Sequence, residues 1–142
     1  MTSTLPLSRA AIGLAIVRIA VGVIFLMHGW QKVFTYGFAG VSGSFADMGV
    51  PMPGVMGPFI ALLELVGGLA LIFGVFTRVF AALLAFDMLG AFFLVHMAGG
   101  FFLPAGFEFV FILFAATLAL ALCGPGAWSV DDRMGARGTA VG

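Results

Sequence analysis

Four stretches of the chain are almost unbroken in apolar residues, at about Ala10–Phe34, Val55–Phe76, Arg78–Ala98 and Phe107–Gly124. Crossing about 30 Å of hydrocarbon takes roughly 20 residues of helix, and each stretch is near that length. None alternates apolar and polar residues with a period of two, as a barrel strand would. Lipid offers no partner to an unpaired backbone amide, so helices are the remaining way across. The pattern predicts an all-α integral membrane protein, a four-transmembrane-helix bundle over residues 10–126.

The segments between the spans fit this layout. "FAGVSGSFADMGVPMPG" (38–54) is rich in Gly, Ser and Pro and reads as a loop with one short interfacial helix through Phe45 and Met48. "AGGFFLPAG" (98–106) reads as a second loop on the same side, with Phe101 and Phe102 in the interface. "VFTRV" (75–79) is a tight turn on the opposite side. Residues 1–9 and 127–142 read as tails, the first preceding a retained helix and not forming a signal peptide. Arg9, Arg78, Arg133 and Arg137 gather at the end shared by both termini, against Lys32 alone at the other. That asymmetry predicts cytoplasmic termini in a multi-pass protein of the inner (plasma) membrane.

Composition removes several alternatives. Of 142 residues, 63% are apolar and 8% charged, too little polar surface for a small water-facing globule. Formal net charge is zero and no basic face exists, which argues against a nucleic-acid partner and leaves the lipid bilayer as the main one. The single cysteine, Cys123, excludes an internal disulfide or a CxxC pair.

Against this background the ionisable residues within the spans are conspicuous. Arg18, Glu64 and Asp87 fall well inside, and His28, His96 and Glu108 lie near the outer ends. Insertion scales put an Arg or Asp at a helix centre at about 3 kcal/mol, so such groups face protein or water and pair. At about 1.5 Å per residue, counted from Arg9 and Arg78, Arg18 and Asp87 reach similar depths and Arg18 is expected to pair with Glu64 or Asp87. The same count brings His28, His96 and Glu108 to nearly one level, with Glu64 below and Lys32 above. Arg18, Gly22, Gly29 and Lys32 share one helix face, with small residues that permit close helix approach; Gly57, Glu64 and Gly68 form a similar stripe.

Asp87 and His96 stand nine residues apart and point to opposite faces of a straight helix. Either a distortion near Gly90 turns one inward, or Asp87 faces a neighbouring subunit of a homo-oligomer. Taken singly, Lys32 reads as an interface anchor, each histidine as an interfacial hydrogen-bonder, and Arg18–Glu64 as a structural pair. Taken together, His28, His96 and Glu108 admit three chemistries. These are an open metal site, bis-histidine haem, and quinone-type redox in which His and Glu manage protons. No HxxxH or HExxH spacing supports the first two, which leaves quinone ahead of metal or haem.

The residues Arg18, Gly22, Phe25, "HGWQK" (28–32), "FADMGVPMP" (45–53), "ELVGGLALIFGVFTR" (64–78), His96 with "GGFF" (99–102), "GFE" (106–108) and "GPGAWSVDD" (124–132) resemble the DoxX family, over about residues 14–132. The resemblance implies a bacterial-type inner-membrane protein of four helices, linked to oxidoreduction. It also implies possible redox-enzyme partners: DoxD-type relatives look like subunits of a thiosulfate:quinone oxidoreductase, and a mycobacterial one tethers other enzymes. Positions matching the family pattern are Arg18, His28, Lys32, Glu64, Arg78, His96, Glu108 and Asp131, whereas Asp87 stands outside it.

The expected function is therefore a redox-linked membrane subunit. His28, His96 and Glu108 would act at an outward-side pocket that binds a quinone or small oxidisable molecule. Glu64 and Arg18 would form its floor, and Lys32 would attract an anionic substrate. Whether the chain is itself an enzyme stays open. The rivals are a proton-coupled small-molecule carrier, which would need a dimer, and a non-catalytic scaffold for oxidoreductase partners.

Overall fold

A computed structural model describes residues 8–138, and among them every regular element is helical. Helix α1 (Arg9–Trp30) runs through a π-helical segment (Gln31–Tyr36) into α2 (Gly37–Asp47). Helices α3 (Pro53–Phe73), α4 (Thr77–Ala91), α5 (Glu108–Cys123) and α6 (Val130–Gly138) follow, with a second π-helical segment at Phe92–His96. The 11-residue α2 replaces much of the loop expected at 38–54, and Gly37, at φ 69°, bends the chain between α1 and α2. Val41 of α2 is buried, and a methyl at Gly57 would meet Ser42 Oγ at 2.9 Å, so α2 lies against α3.

The segments Arg9–Asp47, Pro53–Phe73 and Thr77–Gly99 are long and apolar enough to cross a membrane. Helix α5 is apolar but has only 16 residues. At 1.5 Å per residue it covers about 24 Å, short of a full hydrocarbon thickness. It packs along α4, and Phe25, Leu71, Leu84 and Leu120 are the largest fully buried apolar side chains of the common core. Outward faces carry Ile16, Val23, Phe73, Phe86 and Leu122, all exposed, as lipid-facing helices require.

Helices α1 and α3 touch backbone to backbone. A Cβ on Gly29 would fall 2.2 Å from Leu65 N, and one on Gly68 would fall 2.3 Å from Leu26 N. Neither obstacle is a side chain that could swing away. Gly29→Ala should therefore push the two helices apart and lower stability by about 3 kcal/mol, at the top of the usual range for overpacking. Thermal unfolding in detergent checks this, with Gly13→Ala, where nothing lies within 4 Å, as the neutral control.

At the end of the bundle opposite the 97–107 loop, the chain after α5 is stitched back onto the helices. Arg18, fully buried, donates through Nη1 to Pro125 O and to Ala127 O (3.1 Å), and through Nη2 to Trp128 O (3.2 Å). Ala127 N donates to Ala11 O at 2.9 Å. The Asp131 carboxylate accepts from Phe76 N and Thr77 N, both at 2.8 Å, and so caps the start of α4. Arg78 donates to the last carbonyls of α5, Leu122 O at 2.7 Å among them. Residues 127–131 are thus docked structure, where the sequence suggested that a tail begins at 127; residues 1–7 lie outside the described residues.

Candidate functional site

Arg18 does not pair with Glu64 or Asp87, and the reason is register. A methyl at Gly74 would sit 3.1 Å from Arg18 Nη1, so Arg18 is level with the α3–α4 turn, not deep beyond it. Helix α1 begins two turns below that level, where the docked C-terminal segment covers it. Counting depth from Arg9 therefore shifted α1 against the other helices. Arg18 holds the chain end together and contributes nothing to a pocket floor.

With this register, Glu64 is level with Gly29 and comes within reach of Lys32. A Cβ on Gly29 would lie 2.8 Å from Glu64 C. Lys32, on the π-helical segment after α1, donates to Glu64 Oε2. The Glu64 side chain is 6% exposed and that of Lys32 is 19%, so this is a largely desolvated ion pair. Lys32 is therefore neither a headgroup anchor nor a free cation waiting for an anion.

Asp87 joins them. From Thr77 it lies ten residues along α4, about 15 Å, and Glu64 lies nine residues from the end of α3, about 14 Å, so both sit near mid-bundle. Asp87 and Glu64 line the same cavity at this level, and Asp87 Oδ2 is buried with no hydrogen-bond partner among the described residues. Asp87 and His96 nevertheless line one cavity. The π-helical turn at Phe92–His96 carries more residues per turn than an α-helix and so changes the phase between them. The distortion considered near Gly90 exists, and it removes the need for Asp87 to face another subunit.

The cavity has a volume of about 790 Å³. Its walls are mostly apolar, with Phe25, Phe59, Ile60, Leu83, Phe109 and Leu113 among them. Its polar lining is Lys32, Glu64 and Asp87 toward mid-bundle, with His28 and His96. The His28 ring lies 6.2 Å from that of Phe109, centre to centre, at a tilt of 42°. Leu103 and Pro104 of the 97–107 loop also line it. His96 Nδ1 is 3.3 Å from Ala105 O, which ties the histidine to that loop.

Glu108 does not reach the cavity. At the first turn of α5 its Oε1 accepts from Leu103 N at 2.8 Å, folding the loop back on the helix start. Of the three residues expected to meet, His28 and His96 line the cavity and Glu108 does not. Among the described residues no group of three His, Cys, Asp or Glu is placed to hold a metal ion, so the candidate metal set His28–His96–Glu108 is withdrawn. Asp87 is a cavity carboxylate that the proposed trio did not include. Its signal in the sequence is its mid-span charge, outweighed there by its standing outside the family pattern and by its awkward helix face.

The chain matches the DoxX family profile over residues 13–97. The chain belongs to the DoxX family. It is 34% identical over 110 residues to the putative oxidoreductase CatD of Bacillus subtilis, covering 77% of this chain and 78% of that protein. With the inner membrane protein YqjF of Escherichia coli it shares 38% identity over 125 residues, 84% of this chain and 90% of the relative. An uncharacterised membrane protein of Mycobacterium tuberculosis, Rv3486, is 34% identical over 137 residues, covering 89% and 83%. No solved structure matches the chain. The profile takes in Arg18, His28, Lys32, Glu64, Asp87 and His96, so all the polar residues of the cavity fall inside the DoxX match, and Glu108 falls beyond it.

Proposed function

We propose that this DoxX-family protein is a redox-linked subunit of the inner membrane whose cavity binds a quinone or another small oxidisable molecule. The observation that carries this reading is the cavity itself. Apolar walls suit a ring and a lipid-soluble tail, while Lys32, Glu64, Asp87, His28 and His96 supply hydrogen-bonding groups that fix a polar head. The relative named as a putative oxidoreductase supports the redox assignment. In the same proposal the bundle spans the membrane four times with both termini cytoplasmic, and α5 completes its crossing with the flanking Phe107 and loop residues. His28 and His96 are the candidate catalytic residues, and Lys32 and Glu64, now with Asp87, hold the polar end of the ligand site.

The carrier alternative, which requires a dimer, loses one support, because Asp87 facing a partner would have helped it and Asp87 lines the cavity instead. A scaffold with no ligand remains the rival, and binding separates the two. Decylbenzoquinone titrated into the protein in lipid nanodiscs should bind saturably. His28→Ala combined with His96→Ala should weaken that binding by about 10- to 100-fold, the value of one or two lost polar contacts. Binding absent in the intact protein, or untouched by the double change, would leave the scaffold reading.

A further inference from the structure

We infer that Glu64 and Asp87 hold one proton between their carboxyl groups, a proton-binding site completing a charge-balanced cluster with Lys32. The cluster is one cation and two acids from three different segments, met at mid-bundle on the cavity wall. The Lys32 ammonium is engaged by Glu64 Oε2. Asp87 lines the cavity at the level of Glu64 on the neighbouring helix, and its Oδ2 is shut off from solvent with no protein donor among the described residues. A buried acceptor without a donor is costly, and so is an uncompensated charge in an apolar setting.

No other cation among the described residues supplies what is missing. Arg18 is caged by carbonyls at the bundle end, and Arg78 caps α5. The other titratable groups facing the cavity are His28 from α1 and His96 after α4, and His96 Nδ1 is turned to Ala105 O. Glu108 is turned to Leu103 N. A proton placed between Glu64 and Asp87 serves as the absent donor and removes the excess negative charge at once. Two carboxyls facing one desolvated site commonly share one proton in this way.

The inference does not depend on what fills the cavity, and a negative quinone titration leaves it standing. Infrared spectroscopy of the intact protein in nanodiscs at neutral pH tests it. The expected spectrum contains the carbonyl stretch of a protonated carboxylic acid, shifted by deuterium exchange. Asp87→Asn and Glu64→Gln should each abolish that band, whereas Asp87→Glu, which restores two carboxyls, should keep it. Because the first reading needs only the unmodified protein, misfolding of a variant cannot shelter the idea. A wild-type spectrum without the band, or a band that survives both amide substitutions in folded protein, overturns it.

Discussion

Lys32→Met should destabilise the protein by about 3–5 kcal/mol, the range found when one partner of a buried ion pair is removed. The substitution preserves the length and much of the volume of the side chain, so packing changes little. What it removes is the cation that faces Glu64, whose side chain is 6% exposed, in a cavity that Asp87 also lines. Two acids would then share an apolar cavity with no compensating charge. Equilibrium unfolding in mixed detergent measures the loss. Were Lys32 only a headgroup anchor, the same change would shift stability by well under about 1 kcal/mol, as exposed charges do.

Arg18→Met should cost about as much at the opposite end of the bundle, by a different mechanism. Its guanidinium serves three carbonyls, those of Pro125, Ala127 and Trp128, in a fully buried position. Each acceptor left buried without a donor costs about 1–3 kcal/mol, and partial rescue by water at the bundle end sets the expected total at about 3 kcal/mol or more. The loss should be local in its first effect. Residues 125–131 would detach, taking the Asp131 cap from α4, and protease cleavage in that segment should accelerate before the helices unfold. Ligand binding in the cavity should persist at temperatures where the bundle remains folded, because Arg18 lies away from it.

The contrast between these two residues shows how far the sequence could be read. Hydropathy was enough to place the long apolar helices, and the glycine stripes of α1 and α3 announced their contact, because both depend on local composition and spacing. The partners of the charges depend on axial register, which no hydropathy plot contains. Arg9 and Arg78 read from the sequence as marking one membrane edge, yet α1 starts two turns below the α3–α4 turn. That offset alone moved Lys32 from the interface to Glu64 and moved Arg18 from Glu64 to the chain end.

Asp87 was obscured by helix phase. Nine residues of ideal α-helix separate it from His96 by half a turn, whereas the π-helical segment at Phe92–His96 lets both reach one cavity. A π-turn has no dependable signature in a single sequence, although such bulges gather at functional sites. Glu108 misled in the other direction. A carboxylate at the first turn of a helix is well placed to receive backbone amides, and it binds the loop at Leu103 instead of lining the pocket.

The claim on which the rest depends is that Lys32 and Glu64, from different helices, meet at a desolvated point on one cavity. A double-mutant cycle with Lys32→Met and Glu64→Met measures that meeting directly through unfolding free energies. The structure predicts a double variant clearly more stable than Lys32→Met alone, with a coupling of about 2 kcal/mol or more. Losses that simply add, with no coupling, would mean that the two side chains never meet.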